Sequence, residues 1–167
     1  TQGSIKFMGL DWSTLYDRQL NALRGRIGRI SRHGSWLSLF GTHLNIMLPH
    51  LYHTTDPFEH VVRRATELGH TFGFPGLPIT APDRLSSADL ARAACVRAFL
   101  GRPELLVLED ISDTLPEESV LPFFETVTAA RDRGCGVLWF VRSPAAWREY
   151  RKAVNLHMRL LDEGLFP

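Results

Sequence analysis

The sequence predicts an α/β fold built on a parallel sheet, and three observations carry that prediction. Apolar runs at residues 104–108, 136–141 and 153–161 read as strands, the first two as strands buried on both faces. Capped helical segments separate them. A strand–helix–strand–helix–strand order requires parallel pairing with right-handed crossovers. Ligands of such sheets sit beyond the carboxyl ends of the strands. The sequence puts Glu109 and Asp110 at one such end and Arg142 and Ser143 at another.

Each element follows from local chemistry. Residues 3–8 read as a short strand. Ser13 or Thr14 is placed to cap a helix through Leu15, Leu20 and Leu23 that Gly25 stops. Residues 26–31 are β-like, and residues 35–42 a loop. An apolar helix over residues 45–52 is interrupted by Pro49. Asp56-Pro57-Phe58-Glu59 predicts a helix start with Asp56 as cap, running to Gly69. Pro75, Pro78 and Pro82 make residues 71–84 a loop or hinge. Ser86 caps the next helix, with Asp89 three residues on, and Gly101 ends it. Pro116 opens a helix that Gly134 closes, and Pro144 opens a short one.

Composition sets the class. At 167 residues the chain suits one domain with a real core. Its 44% hydrophobic and 22% charged residues are those of a globular protein. A net charge of +1 gives no argument for a nucleic-acid or membrane surface as partner. No apolar run reaches the roughly 20 residues of a membrane span. Cys95 and Cys135 lack metal-ligand spacing and read as buried, reduced thiols. Thr1 in place of a Met predicts either a trimmed start or a chain that begins inside a longer product.

Two constellations carry chemistry. Leu105-Leu106-Val107-Leu108-Glu109-Asp110 places two acids at the end of an apolar strand. One carboxylate suits a divalent ion and its neighbour an attacking water. Strand alternation would send them to opposite faces; the bland alternative is the start of a solvated loop. Leu85-Ser86-Ser87-Ala88-Asp89 opens a helix with small residues whose backbone N–H groups could meet a phosphate, or is an ordinary cap. Among the seven histidines, His50 and His53 share a helix face with His43 and His60 nearby, but no ligand set of known spacing forms, and surface roles are preferred. Four dispersed tryptophans form no stacking platform.

Taken together and in order, these segments resemble the ATP-binding cassette ATPases of ABC transporters. Leu85-Ser86 stands where that family has L-S-G-G-Q, Arg97-Ala98 within its A-R-A helix end, and residues 103–110 at its P-x-L-L-L-L-D-E strand. Gly3-Ser4-Ile5-Lys6-Phe7 with Gly9 is similar to the family's G-x-I-x-F-x-G hairpin. Leu23-Arg24-Gly25-Arg26-Ile27-Gly28 is similar to L-R-R-R-I-G before its glutamine loop. Residues 154–164, ending in Asp162-Glu163-Gly164, match a strand ending in D-G. Asn45-Ile46-Met47-Leu48-Pro49 resembles the E-N-V-x-L-P form of subunits serving lipid or lipoprotein transport. The resemblance implies a partial ABC-type P-loop NTPase fold: a parallel core sheet, a helical insert over residues 43–84 and a small N-terminal antiparallel element. The single cassette-like domain then divides into residues 1–42, 43–84 and 85–167.

The departures from that pattern carry the functional expectation. No G-x-x-x-x-G-K-S/T segment occurs in the sequence, so the main triphosphate cradle is missing from it. Arg32 stands at the glutamine-loop position, Ser87 and Ala88 at the signature glycines, and Ser143 at the switch histidine. The acid pair is reversed to Glu109-Asp110, and S-A-L-D reads Asp113-Thr114-Leu115-Pro116. The expectation is a subunit that does not hydrolyse ATP alone, binding ATP and Mg²⁺ only against a complementary phosphate loop. Ser86, Ser87 and Ala88 would be its degenerate nucleotide-facing set. It would dock on an ABC membrane subunit, with Trp36 and Phe40 as candidate docking residues, or pair with another cassette. That implies a cytoplasmic position, peripheral on the inner face of a bacterial inner membrane. The alternatives are a fragment whose phosphate loop lies upstream and a free-standing interaction module.

Overall fold

A computed structural model describes residues 3–31, 34–111, 114–142 and 154–166. Arg32, Asp113, Ser143 and the helix expected after Pro144 therefore lie outside the described residues. A two-stranded antiparallel ribbon, β1 (Lys6–Phe7) and β2 (Leu10–Asp11), comes first. Its turn takes left-handed backbone at Met8 (φ 53°) and Gly9 (φ 78°).

The first helix, α1, spans Asp17–Arg24, later than expected. The Asp11 carboxylate is the reason. It accepts from the Ser13 backbone N–H at 3.0 Å and the Ser13 hydroxyl at 2.6 Å. Residues 12–14 are thereby tightened into a 3₁₀ turn, so neither Ser13 nor Thr14 caps α1. Gly25 closes the helix as predicted.

The helical insert is α2 (Thr42–His53) and α3 (Phe58–Thr71). Pro49 sits within α2 without ending it. Asp56 does not cap α3. Its carboxylate is held instead by His50 Nε2 at 2.8 Å and Arg64 Nη1 at 3.4 Å. Gly69 is buried inside α3, which runs on to Thr71.

The central helix α4 (Ser87–Leu100) starts at Ser86, whose hydroxyl accepts from the Asp89 N–H at 3.0 Å. Its small residues let it be enclosed on several sides: Ala91, Ala93, Ala94, Cys95, Val96 and Ala98 are all buried.

The parallel sheet contains β3 (Ile27–Ile30), β4 (Leu105–Glu109) and β5 (Gly136–Phe140), in that spatial order, with α5 (Glu117–Asp132) crossing from β4 to β5. The expected third strand at residues 153–161 is not part of it. Residues Arg159–Leu161 (β6) turn back at Asp162-Glu163 and pair antiparallel with Gly164–Phe166 (β7). Gly164 supplies the φ of 145° that this tight reversal needs. The four-residue β3 takes the vacant place beside β4, with Gly28 opposite Leu106 and Ile30 opposite Leu108. A Cβ on Gly28 would lie 2.4 Å from the Ala98 carbonyl oxygen, so only glycine lets β3 approach α4 this closely.

Neither β4 nor β5 is buried on both faces, against expectation. Leu106 and Leu108 are fully buried beneath α4 and α5, each contributing about 2 kcal/mol of apolar burial. Phe72, Phe99, Phe123, Phe124 and Trp139 extend this core as a chain of ring contacts. On the opposite face, Leu138 and Phe140 are about half exposed, because no described element covers them. No helix among the described residues is long and apolar enough to cross a membrane.

Candidate functional site

Parallel register brings the three strand ends together. Glu109 pairs across to Phe140 and Leu108 to Ile30, so residues 31, 110 and 142 cluster at one edge. The start of α4 faces the same place. Ser87, Leu90 and Ala91 share a cavity of about 230 Å³ with Ile30, Trp36 and Glu109. The structure thus joins the two constellations that the sequence singles out.

At the helix start, the Ser86 hydroxyl is engaged locally. It accepts from the Asp89 N–H and donates to Asp89 Oδ2 at 2.8 Å. Asp89 also receives Arg92 Nη1 at 3.0 Å, and Arg92 reaches on to Glu118 and Ser119. Ser87 and Ala88, in the first turn, have N–H groups that no helical carbonyl can satisfy. Asp89 brings a negative charge into that same turn and would oppose an incoming anion.

At the strand end, each acid faces an arginine. Arg29 Nη2 lies 2.9 Å from Glu109 Oε1, and Arg142 Nε lies 2.9 Å from Asp110 Oδ2. Asp110 is not a continuation of the strand. It takes left-handed backbone (φ 47°), while its N–H donates to the Phe140 carbonyl at 3.1 Å. Strand alternation therefore does not separate the two carboxylates; a backbone reversal does. A divalent ion needs free oxygen ligands. Each carboxylate already has one oxygen engaged by a guanidinium, and two guanidinium charges flank the pair, so as arranged it fits a cation poorly. Among the described residues no group of three or more His, Cys, Asp or Glu is placed to hold a metal.

The loop after β3 is held by two side chains. Asn45, buried in α2, accepts from the Leu37 N–H at 2.8 Å and donates to the carbonyls of Leu37, Phe40 and Gly41. Arg97, on α4, donates to the Gly34 carbonyl and lies over the Trp36 ring, 4.1 Å from its centroid. Burial, and then the neighbouring Arg29 charge, lower the Arg97 pKa to about 10. Trp36 packs against the core, whereas Phe40 is at the surface beside the more exposed Leu39. The roles of Arg29 and Arg97 are not evident from sequence. Arg29 becomes a partner of Glu109 only once β3 is paired with β4, which no local signal in residues 27–30 announces.

The histidines are dispersed in role. His50 pairs with Asp56, and His53 contacts the Tyr52 ring edge-on at 4.9 Å. Cys95 and Cys135 are both buried free thiols, and burial pushes both pKa values up.

Fold and site define an α/β scaffold with a helical insert beside the carboxyl ends of a parallel sheet. Comparison with known proteins makes this specific. A methionine import ATP-binding protein of Salmonella typhimurium is 31% identical over 115 residues, 69% of this chain and 33% of the relative. The methionine import ATP-binding protein of Escherichia coli K12 is also 31% identical over 115 residues. These relatives are named for methionine import, not for lipid or lipoprotein transport. The chain spans about a third of the length of the curated relatives it matches. Among solved structures, the dimeric ATP-binding cassette MJ0796 bound to ADP and Pi superposes with a TM-score of 0.78 at 18% identity, covering 89% of this chain and 66% of that one. The ATP-binding subunit of an ABC transporter gives 0.74 at 16% identity, covering 89% and 60%. No family model matches. The chain is similar in sequence to the ATP-binding proteins named above and carries the fold of the ATP-binding cassettes over most of its length.

Proposed function

We propose that this chain serves as an ABC nucleotide-binding-domain-like subunit that does not hydrolyse ATP by itself and acts through contact with a membrane subunit or a partner cassette. The arginine-held acid pair carries this reading. The carboxylates that would organise metal and water already have guanidinium partners. The loop that Asn45 and Arg97 hold offers a contact surface. Leu37, Leu39 and Phe40 are exposed on it, and Ile79 flanks it through the Thr42–Thr80 and His43–Pro78 backbone hydrogen bonds. Such a subunit would be cytoplasmic and peripheral, meeting the membrane through its partner.

A phosphate-release assay on the purified chain tests the reading. No turnover above background is expected at millimolar Mg-ATP. Turnover that Asp110→Asn abolishes would sink it. For docking, a Leu39→Glu/Phe40→Glu variant should leave the membrane fraction that the parent chain enters when its membrane subunit is co-expressed.

A second reading has the chain as part of a longer cassette whose phosphate loop lies upstream. The coverage of a third of the relatives and the open apolar face at Leu138 and Phe140 favour it. Sequencing the 5′ end of the gene decides between the two. A G-x-x-x-x-G-K-S/T motif in frame would restore nucleotide binding to the full-length product.

A further inference from the structure

We propose that Arg29 and Arg142 stand in for a divalent cation at the carboxyl end of β4, making Glu109 and Asp110 a metal-independent clamp across three strands. The inference rests on the reading above only in taking this strand end as the cassette's metal position.

The geometry supplies the argument. Arg29 lies on β3 opposite Val107, one diagonal step from Glu109 on the same sheet face, and its guanidinium meets that carboxylate at 2.9 Å. Arg142 follows β5, and its Nε meets Asp110 at 2.9 Å. The two ion pairs therefore tie β3 to β4 and β4 to β5 at their carboxyl ends. Two carboxylates and two guanidinium groups sum to no net charge. A magnesium ion would compete with these guanidinium groups for the same carboxylates, beside two positive charges and without the negative field that normally draws it in. A guanidinium has no lone pair to offer a metal. Arg97 lies close enough to Arg29 to add a third cation to the neighbourhood. The Asp110 carboxylate is only 14% exposed, so the pair on the β5 side is screened less than an ordinary surface contact.

Manganese titration followed by water-proton relaxation, on the whole 167-residue chain, tests the clamp. The parent is expected to show no saturable site tighter than about 5 mM. Arg29→Met/Arg142→Met should bind manganese about tenfold tighter than the parent, and adding Glu109→Gln/Asp110→Asn should remove the gain. If the double variant fails to fold by circular dichroism, Arg142→Met alone decides: its side chain is 64% exposed, and a gain of about threefold is expected. A parent chain that binds manganese tightly, with the site lost in Glu109→Gln/Asp110→Asn, overturns the proposal. So does an absence of gain in folded arginine variants. ATP turnover would defeat the proposed function without touching this result, and a manganese site in the parent would defeat the clamp whether or not ATP is hydrolysed.

Discussion

On one face of the β3–β4–β5 sheet, Ile30, Leu106 and Leu108 are sealed beneath α4 and α5. On the other, Leu138 and Phe140 are 52% and 55% exposed, and Arg29 reaches across to Glu109. Both faces come from runs that look uniformly apolar in sequence. The covered face gains its stability from close approach, made possible by Gly28 against Ala98 and by small residues along α4. The open face has apolar side chains that no described element covers, and the Arg29–Glu109 ion pair lies on it. Hydrophobic composition alone thus does not define a core; the element on the other side does.

The largest expected effect lies on the covered face. Leu106→Ala should lower unfolding free energy by about 3 kcal/mol in urea denaturation, against less than about 1 kcal/mol for Leu138→Ala. Equal losses would erase the distinction between the faces. Gly28→Ala comes next, at about 2 kcal/mol, because its Cβ would meet backbone that cannot rotate away. Ser86→Ala should cost about 1 kcal/mol through loss of the cap on α4, with Ser86→Asn largely restoring it. Leu138→Lys/Phe140→Lys should change stability by less than about 0.5 kcal/mol, yet reduce self-association in sedimentation, since it only charges exposed positions. The smallest effect is electrostatic. Burial, and then the Arg24 charge, hold the His53 pKa below its ordinary value. The unfolded chain therefore binds more protons in that range, so stability should fall as pH drops below about 6.5, and His53→Asn should flatten this slope.

Local chemistry made much of the fold legible. Ser86, Gly101 and Pro116 mark real element ends because caps and breakers act within a few residues. The strand at β4 and the helix–strand unit after it were also readable from their apolar runs and bounding breakers. What stayed hidden depends on distant partners. Asp56 reads as a cap until His50 and Arg64 claim its carboxylate. The place of β3 in the sheet rests on pairing with residues nearly eighty positions away, and nothing in Ile-Gly-Arg-Ile reveals it. The apolar run at residues 153–161 suggests a core strand, yet its end, β6, turns at Asp162-Glu163 into an exposed hairpin with β7. In the site, both acids, Arg142 and the α4 start were visible, while Arg29 required the register of the sheet.

Arg97 leaves one more mark on the molecule. It keeps its proton at neutral pH, since a pKa of about 10 still lies well above that range. Its nearest acceptors are carbonyls and an indole ring rather than a carboxylate, so water would solvate it better than the loop does. A charged side chain from α4, and not apolar packing alone, therefore fastens residues 34–36 to the helix.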